Sequence, residues 1–163
     1  MVGEGRPQEV RLARADADAT HRLGVRLGER LRAGDALALV GDLGAGKTTL
    51  ARGVACGLAV DDPDGVSSPT YLLVVEHGGQ LRLLHADAYL PQKLAGFLRD
   101  GGLEYLFDPA AVAVVEWADR VRNLMPERTL WLQIANDEHG GRAAVLTAAP
   151  GVFPWLADLP KIV

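Results

Sequence analysis

Apolar positions along the chain switch between a period of two and a period near four, and the switches outline its elements. Residues 9–14 alternate, with Val10 and Leu12 on one side, which predicts a first strand. Residues 16–33 carry Leu23, Leu27 and Leu31 at every fourth position, the spacing of one buried helix face; Thr20 is a candidate N-cap and Gly34 the expected stop. A short apolar run, residues 36–40, follows the Gly34-Asp35 turn and has the length of a buried strand. Leu50, Val54 and Leu58 then restore the helical spacing. Two β-rich runs, residues 71–76 and 80–84, flank His77, Gly78 and Gly79 and predict a hairpin.

Pro91 opens a helix with Leu94, Phe97 and Leu98 on one face, interrupted at Gly101-Gly102 and followed by a turn to Phe107. Residues 111–115 form the most hydrophobic strand, and residues 118–125 a short helix or turn stopped by Pro126. A last strand pair is expected at 129–135 and 142–147, around the polar turn 136–141. The tail, 150–163, holds Phe153, Trp155 and Leu156 between prolines and is expected to pack on the core.

The densest chemistry lies where the second strand meets the second helix. Gly41, Asp42, Leu43, Gly44, Ala45, Gly46, Lys47 and Thr48 satisfy G-x-x-x-x-G-K-[ST], and Thr49 follows as a further candidate nucleotide contact. A loop of that length wraps a diphosphate only if its backbone N–H groups turn inward, which glycines permit. Lys47 is placed to reach the outer phosphates and the Thr48 hydroxyl to ligand Mg²⁺, while the helix start adds its dipole and free N–H groups. The plain alternative is a glycine turn with an incidental lysine. The strand before the loop and the helix after it argue for the phosphate loop.

Other candidates are placed by position. Asp87 emerges at the end of a strand, and Glu116 ends the most hydrophobic one, the pattern of a Walker B carboxylate that holds Mg²⁺ through water or orients the attacking water. An acid at a strand end is also a common turn residue. Ser68-Pro69-Thr70 stands where phosphate-loop proteins carry a switch segment, or is a simple strand entry. Arg22, Arg26 and Arg30 share one helix face, which serves either as a solvated stripe or as a docking surface. The histidines show no metal-ligand spacing with one another or with Cys56, and His85 is expected to pack or to support a neighbour. Arg52, Arg120 and Arg122 lie around the motifs, but none is evidently dedicated to the terminal phosphate.

Composition narrows the partners. The 163 residues make one ordinary domain, 48% hydrophobic and 23% charged, as in a folded soluble protein. No apolar run approaches a bilayer span, and residues 1–10 lack the apolar segment of a secretory signal. With a single cysteine no internal disulfide forms, which fits a cytoplasmic location. A formal net charge of −4 argues against holding nucleic acid alone, so contact with RNA is expected through a partner.

Four segments in fixed order, GDLGAGKTT, SSPTY, HADAY and VVEW, resemble the bacterial TsaE family of small ATPases required for threonylcarbamoyladenosine modification of tRNA. Further likeness lies in T-x-x-L-G at Thr20 to Gly24, in Arg52-Gly53 and in Gly141-Arg142. The resemblance implies a single α/β P-loop NTPase domain with a mixed central sheet flanked by helices, binding ATP and Mg²⁺. Carried onto this chain, Lys47, Thr48, Asp87 and Glu116 would form the nucleotide and metal site, Thr70 part of a switch segment and Trp117 a neighbour of the nucleotide. The family's partners, TsaB and TsaD, would then contact the tRNA, with this chain supplying the energy-using step. Two departures stand out: Leu90 replaces the arginine that usually follows Asp-x-Tyr, and Gln92, Lys93 and Leu94 replace the usual acids. A small metabolite kinase is the alternative, although residues 91–109 contain only Arg99 and no arginine-rich lid. A GTPase lacks support because no N-K-x-D segment is present, and a dead structural partner is opposed by the intact motif residues.

Overall fold

The computed structural model describes residues 5–14, 16–42, 44–69, 73–136 and 141–163, with the side chains of residues 14 and 91 set aside. Strand β1 (Gln8–Arg14) leads into helix α1 (Ala17–Arg30), whose N-cap is Asp16: its Oδ1 accepts the Ala19 N–H at 2.8 Å. Thr20, the candidate cap, is instead buried in the first turns, and its hydroxyl donates back to the Asp16 carbonyl. The helix also stops earlier than the Gly34 signal implies, because Leu31 turns extended at ψ 144°. Gly34, at φ +92°, belongs to the separate turn that enters β2 (Ala36–Val40). In that turn the Asp35 carboxylate accepts the Arg32 N–H and the Arg128 guanidinium, both at 2.8 Å.

Helix α2 (Lys47–Gly57) starts at the glycine loop and packs along α1 through four small residues. A Cβ on Gly53 would stand 2.2 Å from the His21 carbonyl oxygen, and one on Gly57 2.2 Å from that of Val25. Gly24 and Gly28 face back at similarly short range, so the two backbones touch with no side chain between them. This seam brings the start of α1 beside the glycine loop.

The predicted hairpin is present as β3 (Val74–His77) and β4 (Leu83–Asp87), with His77 inside the first strand and residues 78–82 as the connection. Pro91 opens α3 (Pro91–Phe97), a π-helical stretch (Leu98–Gly102) bends at Gly101, φ +98°, and α4 (Leu103–Leu106) completes the interrupted helix read from the sequence. Strand β5 (Val112–Glu116) precedes a 3₁₀ stretch (Ala118–Leu124). Strands β6 (Thr129–Asn136) and β7 (Arg142–Ala148) are antiparallel as expected. In the tail, a 3₁₀ helix (Pro154–Lys161) drives Leu156 and Leu159 into the core beside Phe153.

One mixed sheet collects all seven strands in the order β1-β7-β6-β2-β5-β4-β3. Strands β6, β2, β5 and β4 run parallel, and the outer pairs are antiparallel. Both faces are covered. Leu37, Leu39, Val112 and Val114 point into the core shared with α1 and α2, while Ala36, Ala38, Ala113 and Val115 point to the side of α3 and Leu106. That explains why β2 and β5 read as continuous apolar runs rather than alternating ones. Among the described residues no helix is long and apolar enough to cross a membrane.

The strand order also positions the site. After β2 the chain runs out to the edge strand β3 and its neighbour β4, returns to β5 between β4 and β2, and only then crosses to β6 on the other flank of β2. The carboxyl end of β2 is thus the switch point where open α/β sheets leave a crevice, and the glycine loop emerges there.

Candidate functional site

Gly46 caps α2 with φ +107°, a left-handed conformation that glycine adopts at little cost. The loop is closed on Lys47. Its Nζ donates to the carbonyls of Gly41 at 2.5 Å and Asp42 at 2.7 Å and lies 4.2 Å from the centroid of the Trp117 ring. Lys47 is only 6% exposed, and this burial holds its ammonium below the ordinary lysine range, against the opposing pull of Glu116, Asp42, Asp87 and Asp119.

Two carboxylates meet at the ends of neighbouring parallel strands, where Asp87 of β4 pairs in register with Glu116 of β5. Their surroundings give them different work. Glu116 Oε1 lies 3.4 Å from the Thr48 hydroxyl, and its Oε2 is 2.6 Å from His85 Nε2. His85 is fully buried, and its Nδ1 has no hydrogen-bond partner among the described residues. A proton on Nδ1 would be a buried donor with nothing to accept it, so the ring carries its proton on Nε2 and donates it to Glu116. Asp87 instead holds backbone: its Oδ1 accepts the Tyr89 N–H at 2.7 Å, and its Oδ2 accepts the Ser68 hydroxyl at 3.0 Å. It therefore ties the expected switch segment to the end of β4. Thr70 and Leu43 lie outside the described residues.

Trp117 follows Glu116 in a left-handed conformation, φ 57°, ψ 33°, which costs a bulky residue about 1–2 kcal/mol. Its neighbours hold it there. Tyr89 meets it edge-on at 5.2 Å, Arg120 stacks at 4.9 Å while donating to the Tyr89 carbonyl at 2.6 Å, and Lys47 sits on its face. The strain turns the indole over the phosphate loop.

Two hollows flank that loop. One, of about 540 Å³, is lined by Lys47, Thr48, Thr49, Ser68, Glu116 and Trp117, and also by Ala17 and Arg142. The other, of about 460 Å³, lies toward the end of β6 among Asp42, Ala45, Trp117, Gln133 and Asn136. The structure thus brings together Gly44, Gly46, Lys47, Thr48, Thr49, Glu116 and Trp117 in one hollow, and Gly41, Asp42 and Ala45 in the adjoining one. Asp87 reaches the site through Ser68 rather than by lining the hollow.

The residues at the mouth suit a hard cation bound together with phosphate. Among the described residues no group of three or more His, Cys, Asp or Glu side chains forms a metal cage. Mg²⁺ needs none, because it keeps several waters and takes one or two protein oxygens plus substrate phosphates. The Thr48 hydroxyl beside the Glu116 carboxylate is such a donor pair.

Sequence reading missed two features. Ala17 and Arg142 come from opposite ends of the chain, and no spacing signal links either to the loop; only the Gly141-Arg142 likeness marked the second. Arg52 is used structurally, donating to the Val66 carbonyl at 2.7 Å, and Arg122 stacks on Trp131 away from the hollow.

Comparison with known proteins gives a consistent result. The model of the family described as Threonylcarbamoyl adenosine biosynthesis protein TsaE matches residues 14–144. A tRNA threonylcarbamoyladenosine biosynthesis protein TsaE from Nostoc sp. is 34% identical over 143 residues, 86% of each chain. The protein of the same name from Mycobacterium leprae is 41% identical over 123 residues, 71% of this chain and 75% of that one. The crystal structure of Bacillus subtilis YdiB superposes with a TM-score of 0.75 at 28% identity, covering 97% of this chain and 98% of the other. With a family model matched across most of its length and relatives this similar over most of theirs, the chain belongs to the TsaE family.

Proposed function

We propose that this chain is an Mg²⁺-dependent ATP hydrolase of the cytoplasm that serves formation of threonylcarbamoyladenosine in tRNA, acting as one domain and as an ATP-driven switch on a TsaB–TsaD complex. The relatives' printed names supply the pathway, and the observation that carries the hydrolase reading is Thr48 set beside Glu116 at the mouth of a loop closed on a buried lysine.

The residues divide the work as follows. Loop N–H groups and the start of α2 receive the phosphates, and Lys47 exchanges its two carbonyl partners for phosphate oxygens. Thr48 and Glu116 would hold the metal, Glu116 directly or through water, and the His85 N–H fixes the carboxylate's orientation. A bound Mg²⁺ would supply neutralisation of the charge on the outer phosphate oxygens. Asp87 couples the site to Ser68, so a change at the outer phosphate is transmitted to the segment that follows. Trp117 packs against the nucleotide from its strained position. In this division no arginine reaches the outer phosphate from α2, and a partner surface supplies that charge or orders the segment that brings one in.

The test is steady-state ATP turnover by the purified protein alone, with TsaB and TsaD, and with both plus unmodified tRNA. Slow hydrolysis alone and a large stimulation by the partners are expected. Unstimulated full activity overturns the switch reading and favours a free-standing enzyme such as a small kinase. Lys47→Ala is the companion control. A cation about 4 Å from phosphate is worth up to about 4 kcal/mol at intermediate dielectric, so after screening ATP binding weakens by about 100-fold or more.

A further inference from the structure

Among the described residues, two histidines on neighbouring strands each keep a buried ring nitrogen without a hydrogen-bond partner, Nδ1 of His85 and Nε2 of His77. In the antiparallel register of β3 and β4, Val75 faces His85 and His77 faces Leu83. Paired residues point to one side of a sheet, so both rings stand on the side of Leu83, which packs in the core shared with α1 and α2. Diagonal neighbours of this kind stand about 7–8 Å apart, within reach of ring side chains. The stretch after α2 closes over the chain just beyond His77: Asp61 donates its N–H to the Gly78 carbonyl at 2.9 Å, and Val60 bridges Gly79. The two rings have complementary needs. His85 gives its Nε2 proton to Glu116 Oε2 at 2.6 Å, so its Nδ1 is a buried acceptor. His77 is held below the ordinary histidine range by burial first and then by His85, against a pull from Asp62. At neutral pH it is thus an uncharged ring with one N–H, and its inward Nε2 can be a donor.

We propose that one buried water links His77 Nε2 to His85 Nδ1, and that His77 is thereby a positioning residue for Glu116. The water accepts the His77 N–H and donates to His85, which satisfies both orphaned nitrogens and gives the water the two partners it needs. With Nδ1 committed as an acceptor, the His85 proton stays on Nε2, and its bond to Glu116 holds that carboxylate toward Thr48. Because β3 is an edge strand, the relay of His77, His85 and Glu116 runs from the sheet edge to the lining of the phosphate hollow. Its effect on turnover rests on the hydrolase reading above; the water and the tautomer do not.

The measurements are a high-resolution crystal structure of the nucleotide-free protein, nitrogen NMR of its histidine rings at about pH 8, above the ordinary histidine range, and ATP turnover and affinity of His77 variants. An ordered water between the two nitrogens is expected, with His85 protonated on Nε2 and its bare Nδ1 hydrogen-bonded. His77→Phe shifts the His85 Nδ1 resonance and lowers turnover at saturating ATP and Mg²⁺ by about three- to tenfold, as for loss of one neutral hydrogen bond, while ATP affinity stays within about twofold. His77→Gln, whose amide nitrogen takes the place of Nε2, keeps most of both; His77→Asn, whose amide nitrogen takes the place of Nδ1, does not. In a His85→Leu background, His77→Phe has no further effect on turnover, because the two residues act in series. No ordered water between the rings, an unmoved Nδ1 resonance in His77→Phe, or equal behaviour of the glutamine and asparagine variants overturns the assignment. If the phenylalanine variant does not fold, the wild-type crystal structure and the glutamine and asparagine pair still decide. A wild type that binds ATP but does not hydrolyse it, even with TsaB and TsaD, fails the hydrolase reading, and the crystal structure and ring spectra then decide the water on their own.

Discussion

Replacing Gly53 with alanine isolates the contact that locks α1 against the phosphate-loop helix. The new methyl would stand 2.2 Å from the His21 carbonyl oxygen, 2.9 Å from Gly24 Cα and 3.0 Å from the Val25 nitrogen, all backbone atoms. No side-chain rotation relieves such a clash, so the helices separate by about 1 Å to reach ordinary van der Waals distance. A radial gap of 0.5–1 Å forfeits roughly a quarter to a half of each dispersion contact along the seam. Against this, alanine in a helix interior gains about 1 kcal/mol over glycine. Overpacking costs about 1–3 kcal/mol, and the loosened seam with Gly24, Gly28 and Gly57 adds to it, so the net expectation is a loss of about 2–4 kcal/mol. Gly96→Ala supplies the internal control. That glycine lies in α3 with no other atom within 4 Å of its would-be Cβ, so the same substitution keeps the propensity gain without the clash and stabilises by up to about 1 kcal/mol. Urea denaturation of both variants reads the two signs, and ATP affinity of Gly53→Ala reads the displacement of Lys47 and Thr48 with their helix. Equal or stabilising effects at both positions would refute the close backbone approach and the argument built on it.

Further expectations concern single groups. Glu116→Ala lowers Mg²⁺-dependent ATP turnover more than it lowers ATP affinity, which turnover and titration on the same preparation separate. His85→Leu, which removes the N–H held by Glu116 at 2.6 Å, reduces turnover by about tenfold or more while ATP affinity stays within about threefold; equal losses in both would place His85 in general packing. Asp35→Ala strips the partner from the Arg32 N–H and from Arg128, and costs about 2–4 kcal/mol by thermal or urea unfolding. His77 is depressed below the ordinary histidine range, first by burial, then by the nearby His85, against a smaller upward pull from Asp62. The unfolded chain therefore binds the proton more readily, so this contribution is complete above the usual histidine value near pH 6.5 and is lost as pH falls through the folded value. His77→Asn flattens the fall in melting temperature on acidification, and an unchanged slope would assign the acid sensitivity elsewhere.

What the sequence determined by itself is local in origin. A phosphate loop is one short stretch of consecutive residues, Gly41 to Thr48, whose turn is permitted by glycine, and Lys47 and Thr48 need only end it to be in place. Walker-type Glu116 is equally legible, because it is the acid that closes the most hydrophobic run of the chain, and β5 ends on it. Helix registers at Leu23 and Leu27, and at Leu50 and Val54, came through for the same reason, with Leu31 and Leu58 buried at the caps: burial at a fixed period leaves its trace in every turn.

Where two signals compete at a single boundary, propensity alone does not choose. Asp16 and Thr20 are both good caps, and the seam of Gly24 and Gly28 against α2 fixes how far α1 extends and buries Thr20. Only the tertiary structure decided which distant groups converge. It separated the two carboxylates, giving Glu116 to Thr48 and His85 and Asp87 to Ser68 and Tyr89, because adjacent strands in register place them side by side but loops from different elements fill the space around each. It brought Arg142 to Gly46 across an antiparallel hairpin and turned Trp117 over the loop against its own backbone preference. Pairing across a sheet joins residues separated by most of the chain, and no window along the sequence contains both partners.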